Sequence, residues 1–210
     1  MSDVKRYEPL ILLGIGLLFL LISAIRPYEW LTWWLEVLPA LLGAAVLLAT
    51  YRQFRFTNLV YRLVLIHALV LILGAHYSYA RVPLGFWAQE LFDLSRNHYD
   101  RVGHFSQGFF PAIVVREVLL RCSPLGRGKW LFFLVTCVCL AFSAFYEFIE
   151  WWAALLLGES ATAFLGTQGD MWDTQWDMFM ALVGSVTAQL ILGPWHDRAL
   201  RNKSDGGLVT

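Results

Sequence analysis

Arg96-Asn97-His98-Tyr99-Asp100-Arg101-Val102-Gly103-His104-Phe105-Ser106-Gln107 is the stretch on which the fold turns. It opens an otherwise apolar helix with two arginines, two histidines and an aspartate. Asp100 and His104 stand four residues apart, so a helix puts them on one face, about 6 Å apart along its axis. Charged groups so near a hydrocarbon layer are expensive and mark a functional site unless something else explains them. The surrounding chain is therefore read as a frame that brings other charged groups to this one.

Outward from this stretch the chain is apolar. Of 210 residues, 58% are hydrophobic and only 15% are charged, against about 25% charged in an ordinary soluble domain. Mean hydropathy is +0.56. Sixteen Lys and Arg balance sixteen Asp and Glu, so there is no basic field for nucleic acid. Spanning helices need about 20 largely apolar residues. Six segments qualify: 9–25, 33–50, 59–76, 100–120, 130–157 and 173–192. The first has no small-residue cleavage site and reads as a retained span. Between the third and fourth, Leu84, Trp87, Leu91 and Leu94 recur at helical spacing, predicting a short helix lying on the membrane surface. Pro194 is expected to stop the last span, and 202–210 reads as a disordered tail. The fold class is thus all-α: one transmembrane domain, a bundle of six transmembrane helices. Cys122, Cys137 and Cys139 form no C-x-x-C pair and read as buried thiols.

Orientation follows the Lys and Arg bias of the loops. One set of loops carries Lys5, Arg6, Arg52, Arg55, Arg121, Arg127, Lys129, Arg198, Arg201 and Lys203; the other carries Arg26, Arg81, Arg96 and Arg101. The richer set is expected inside, with both termini. Spans four and six then begin outside and span five ends outside. Three polar clusters share that level: Asp100/His104, Glu147/Glu150, and Asp170/Asp173/Asp177. Each has i, i+3 or i, i+4 spacing and so one face.

So many carboxylates at one depth repel unless neutralised. A divalent cation would do it: oxygen ligands suit Mg²⁺, Ca²⁺ or Mn²⁺, and a histidine admits Zn²⁺ or Fe²⁺. Pairing with Arg96 and Arg101, or shared protons, would also serve. The candidate catalytic residues are Asp100, His104, Glu147, Glu150 and Asp177. Arg96, Arg101 and Gln168 are candidates for substrate contact. His104, Glu147, Glu150, Asp170, Asp173 and Asp177 are the candidate metal ligands. Plainer readings stand beside these. Asp100 suits a helix start, and Asp170 and Asp173 can cap span six. His67 reads as an interhelical hydrogen-bonder, His98 as facing headgroups, and His196 as interfacial and apart from the site. Glu36 is expected to face the bundle, with no partner identified. No G-x-S-x-G or H-E-x-x-H motif is present.

W-W-L-E-V-L-P, H-Y-S-Y-A-R-V-P-L-G-F-W, L-S-R-N-H-Y-D-R-V-G-H-F, S-A-F-Y-E-F-I-E-W-W-A-A and G-T-Q-G-D-M-W-D-T-Q-W-D-M closely resemble the YjdF family of bacterial inner-membrane proteins. The resemblance covers 27–198 and implies a multi-pass inner-membrane location rather than a reaction. A second resemblance is to VanZ-like proteins, associated with glycopeptide-antibiotic resistance. It rests on Asp100-Arg101-Val102-Gly103-His104-Phe105, on Glu147 and Glu150, and on Asp177 and Gly184. Arg101 stands where that pattern has lysine, and Glu150 where glutamine is usual.

Three functions are compatible with these residues. One is an enzyme acting, with a metal or proton at the polar cluster, on a lipid or lipid-linked envelope precursor. A second is a scaffold whose cluster locks helices together. The third is an ion-coupled transporter, which fits less well because the polar residues gather at one end. Membrane lipids are the expected partners.

Overall fold

A computed structural model describes residues 3–205. The chain is all-helical, with long helices α1 (Asp3–Ser23), α2 (Trp30–Thr50), α3 (Asn58–Tyr77), α5 (Tyr99–Cys122), α6 (Lys129–Leu157) and α8 (Asp173–Asp205). Short helices α4 (Pro83–Phe92) and α7 (Thr162–Leu165) lie between them. α4 is the short helix expected before span four. Pro83 opens it, where a missing N–H costs nothing, and Asp93 ends it in the left-handed conformation at φ 49°. Glu29 caps α2: its carboxylate accepts from Leu31 N at 2.8 Å and Thr32 N at 2.6 Å. Burial alone would raise the Glu29 pKa, but the hydrogen bonds from Thr32 and Leu31 outweigh it and hold the carboxyl below its ordinary value.

By length and composition α2, α3, α6 and α8 can cross a membrane, and α1 carries a shorter apolar stretch, Tyr7–Ser23. Outward-facing Phe142, Phe145, Phe148, Trp151, Leu155 and Leu156 on α6 are exposed, as a lipid-facing surface requires. α5 is different. It is long enough at 24 residues, but Asp100, Arg101, Arg116 and Glu117 along it are all buried. Neighbouring helices wrap these charges.

α8 covers α5 most extensively, and α6 and α3 complete the wrap. The α5–α8 approach depends on two glycines. A Cβ at Gly108 would strike the backbone of Ala181, and one at Gly184 would strike the backbone of Phe105. Small residues at such crossings let two backbones meet. The apolar core lies beside this seam: Val60, Ala112, Ile113, Val135, Cys139 and Ala188 are buried together.

Three expectations change. Pro194 does not stop the last helix; α8 runs through it to Asp205. Proline is tolerated inside membrane helices when neighbours support the chain, and here His196 and Asp197, just beyond it, bond back to α5. Residues 202–205, expected in a disordered tail, continue α8, and Lys203 donates to the Arg55 carbonyl; 206–210 lie outside the described residues. Of the cysteines only Cys139 is buried, while Cys122 and Cys137 are exposed, since they fall on the outward faces of their helices.

Candidate functional site

Asp100 and His104 occupy the first turns of α5, Glu147 and Glu150 the far half of α6, and Asp173 and Asp177 the first turns of α8. α5 and α8 run parallel and α6 runs antiparallel to both, which brings all six to one end. Asn97 fixes the start of α5: its side-chain oxygen accepts from Tyr99 N, and its amide donates to the Val82 carbonyl, each at 3.0 Å.

The residues sort into two parts. In the first, arginines meet aspartates. Arg101 donates to Asp177, to Asp173 at 2.7 Å and to Asp170 at 3.1 Å. Arg96 donates to Asp173 at 2.8 Å and to the Thr167 carbonyl at 2.5 Å. Gln168, at φ 47°, is exposed and donates to the Asn97 carbonyl at 2.8 Å. All three residues expected to contact substrate therefore have hydrogen-bond partners inside the protein. His98 lies just before α5. Burial, then the charges of Arg96 and Arg101, hold its imidazole below the ordinary value.

In the second part the groups stand close without bonding. His104 Nε2 is 3.6 Å from Asp100 Oδ1 and 3.8 Å from Asp177 Oδ1, and Nδ1 is 3.7 Å from Glu147 Oε1. These gaps exceed hydrogen-bond length. Nδ1 and Glu147 Oε1 are both buried and, among the described residues, have no hydrogen-bond partner. Among the described residues, two sets of ligand atoms lie mutually within 4.8 Å: Asp100, His104 and Asp177, and His104, Glu147 and Glu150. Asp170 and Asp173, expected as ligands, belong to neither, because their oxygens face the arginines. Beside His104 lies a cavity of about 50 Å³, bounded also by Glu36, His67, Tyr146 and Glu150.

The cavity supplies what the sequence left open for Glu36: it is 5% exposed, and the Tyr146 hydroxyl reaches it at 3.4 Å. Its helical position had placed it toward the bundle, but a partner 110 residues away has no local signature. His67 bonds Ser106 Oγ at 3.1 Å, the interhelical bond expected of it.

A second polar cluster, at the opposite end of α5, escaped the sequence reading. Glu117 is fully buried and accepts from Thr57 N and Oγ1, Arg121 and His196. His196, expected at the interface, is 0% exposed. Arg116 approaches its Nδ1 at 2.8 Å. A guanidinium can only donate, so Nδ1 accepts and Nε2–H donates to Glu117 at 3.0 Å. Asp197 pairs with Arg116 at 2.8 Å and Arg127 at 2.9 Å. The available signal was the adjacent pair Arg116-Glu117 inside an apolar run.

These features define a multi-pass membrane protein: a helix bundle enclosing a histidine–carboxylate cluster at one end of its central helix. The chain belongs to the family described as "Predicted membrane protein (DUF2238)", whose model matches residues 8–198. It is 49% identical over 209 residues to "Inner membrane protein YjdF" of Escherichia coli (strain K12), covering 98% of this chain and 99% of that protein. Its place is the cell inner membrane. No solved structure matches the chain.

Proposed function

We propose that this protein carries a divalent-cation site centred on His104 and uses it on a lipid or lipid-linked envelope precursor at the outer leaflet. One observation carries the reading: His104 Nδ1 and Glu147 Oε1 are buried, unbonded and 3.7 Å apart. Buried polar atoms are almost always satisfied, and two ligands of one small cation stand about this far apart. Charge argues the same way. Glu36, Asp100, Glu147, Glu150, Asp170, Asp173 and Asp177 gather at this end against Arg96 and Arg101, so the carboxylates outnumber the guanidinium groups heavily. A cation restores the balance.

Six spans with both termini inside place the cluster under the outer surface. That arrangement requires α5 to span as a shielded polar helix and α1 to span with its shorter apolar stretch. A bound divalent cation supplies Lewis acidity toward a phosphate or ester and neutralises developing charge. Glu150 is half-buried and adjoins the cavity, which suits a water molecule in size. The substrate headgroup therefore approaches from the outer end rather than entering whole.

Metal analysis of the purified protein tests this. Wild type is expected to hold about one divalent cation per chain, and a Glu147→Ala, Asp177→Ala double variant none. Equal content in both removes the cation. Reporter fusions at each loop test the topology, and an inward-facing 158–172 loop would remove the outer-leaflet assignment.

A scaffold reading draws on the other half of the site. Arg96 and Arg101 tie α5 to the start of α8 through Asp170, Asp173 and Asp177. That part reads as a clamp, and it leaves the gaps around His104 without an explanation.

A further inference from the structure

Resting on the cation site proposed above, we infer that His104 divides its carboxylates by task. Nδ1, Glu147 and Glu150 hold the cation; Asp100 and Asp177, across the ring, accept the Nε2 proton and orient the imidazole.

A neutral imidazole has one acceptor nitrogen and one N–H. A single cation therefore takes one side of the ring, and the surroundings decide which. On the Nδ1 side both the nitrogen and Glu147 Oε1 lack partners. Glu150 follows three residues after Glu147, on the same face of α6, and one ligand atom from each of Glu150, Glu147 and His104 lies within 4.8 Å of the others. The cavity touches Asp100, His104 and Glu150, so it leaves room for water beside the ring without itself choosing a side.

On the Nε2 side a fixed positive charge already stands among the oxygens. Asp177 Oδ1 is held by Arg101, and Arg101 Nη1 also stands 3.8 Å from Asp100 Oδ2. Arginine stays protonated in proteins. A dication among Asp100, Asp177 and Nε2 would sit close to this fixed positive charge in a poorly screened interior. The same arginine does no harm if the Nε2 side receives a proton. A carboxylate accepting the second N–H of a ligating histidine is a common way to fix tautomer and ring orientation. The arginine clamp thus has a function at the site: it holds Asp177 as an acceptor rather than a ligand.

The test uses the full chain in lipid nanodiscs with Zn²⁺ as the probe ion. Wild type should bind one Zn²⁺. Glu147→Gln and Glu150→Gln should lose that binding. Asp100→Asn and Asp177→Asn should keep one ion at about 10- to 100-fold weaker affinity. ¹⁵N-histidine spectra of wild type, with His104 assigned against His104→Gln, should show Zn²⁺ on Nδ1 and the proton on Nε2. This readout does not depend on the carboxylate variants folding. Zn²⁺ on Nε2, two ions per chain, or equal losses in all four carboxylate variants would overturn the division while leaving a cation site. Wild type without bound Zn²⁺, or any other divalent cation, would overturn the site as well.

Discussion

The two ends of α5 carry the same kinds of residue and treat them differently. At the Glu117 end, a carboxylate, a histidine and arginines meet at hydrogen-bond distances, 2.8 to 3.0 Å for the charged contacts. Both His196 nitrogens are occupied, and Glu117 accepts from three neighbouring residues. At the His104 end, the histidine stands 3.6 to 3.8 Å from three carboxylates, and two facing atoms are unbonded. A closed network has no room for a guest and fixes helices to one another. An open one of the same composition costs stability unless something fills it. On the reading proposed above, one end of α5 is a latch and the other a receptacle.

The largest effect should come from breaking the latch. Glu117→Ala leaves His196, Arg121 and Thr57 without their shared acceptor, and is expected to cost about 3–5 kcal/mol. Thermal unfolding in detergent measures it. A cost as small as that of an exposed substitution would erase the difference between the two ends.

Next is removal of the guest. Wild type in a cation excess of about 100 times Kd should be stabilised by about 2.7 kcal/mol, and a chelator should abolish this. Glu147→Gln should not respond to the chelator. If the variant responds as wild type does, the open end does not hold the cation.

Between the ends, Gly108→Ala drives a Cβ into the Ala181 backbone. Overpacking of this kind costs roughly 1–3 kcal/mol. It should also weaken cation binding, because it shifts α5 against α8, the helices bearing Asp100, His104 and Asp177. Unchanged binding in the folded variant would make the two ends independent.

The smallest effect should come from a carboxylate outside both clusters. Glu29→Ala removes the α2 cap at a cost of about 1 kcal/mol. Because the folded Glu29 pKa is depressed, its contribution is present above the ordinary glutamate value. It disappears as pH falls through the lower folded value. The gap between wild type and variant in unfolding temperature should therefore close in acid, below about pH 4. A gap that persists there would mean packing, not the charged cap, is responsible.

The order of residues suffices for the helical class, the membrane location and the positions of most helices. Length and hydropathy are properties of contiguous residues, and a spanning helix satisfies its own backbone. Spacing alone put Asp100 with His104 and Glu147 with Glu150, because i, i+3 and i, i+4 neighbours share a face whatever the tertiary fold. Helix packing selects which acids receive arginines and which are left to His104. Asp170, Asp173 and Asp177 look alike along the chain, yet Asp177 alone reaches both Arg101 and the imidazole. Only the fold could pair Glu36 with Tyr146, or close Glu117 on His196 across 79 residues. Such pairings depend on how helices rotate and cross. Here two glycines that let α5 and α8 touch set that geometry, which no periodicity in either helix encodes.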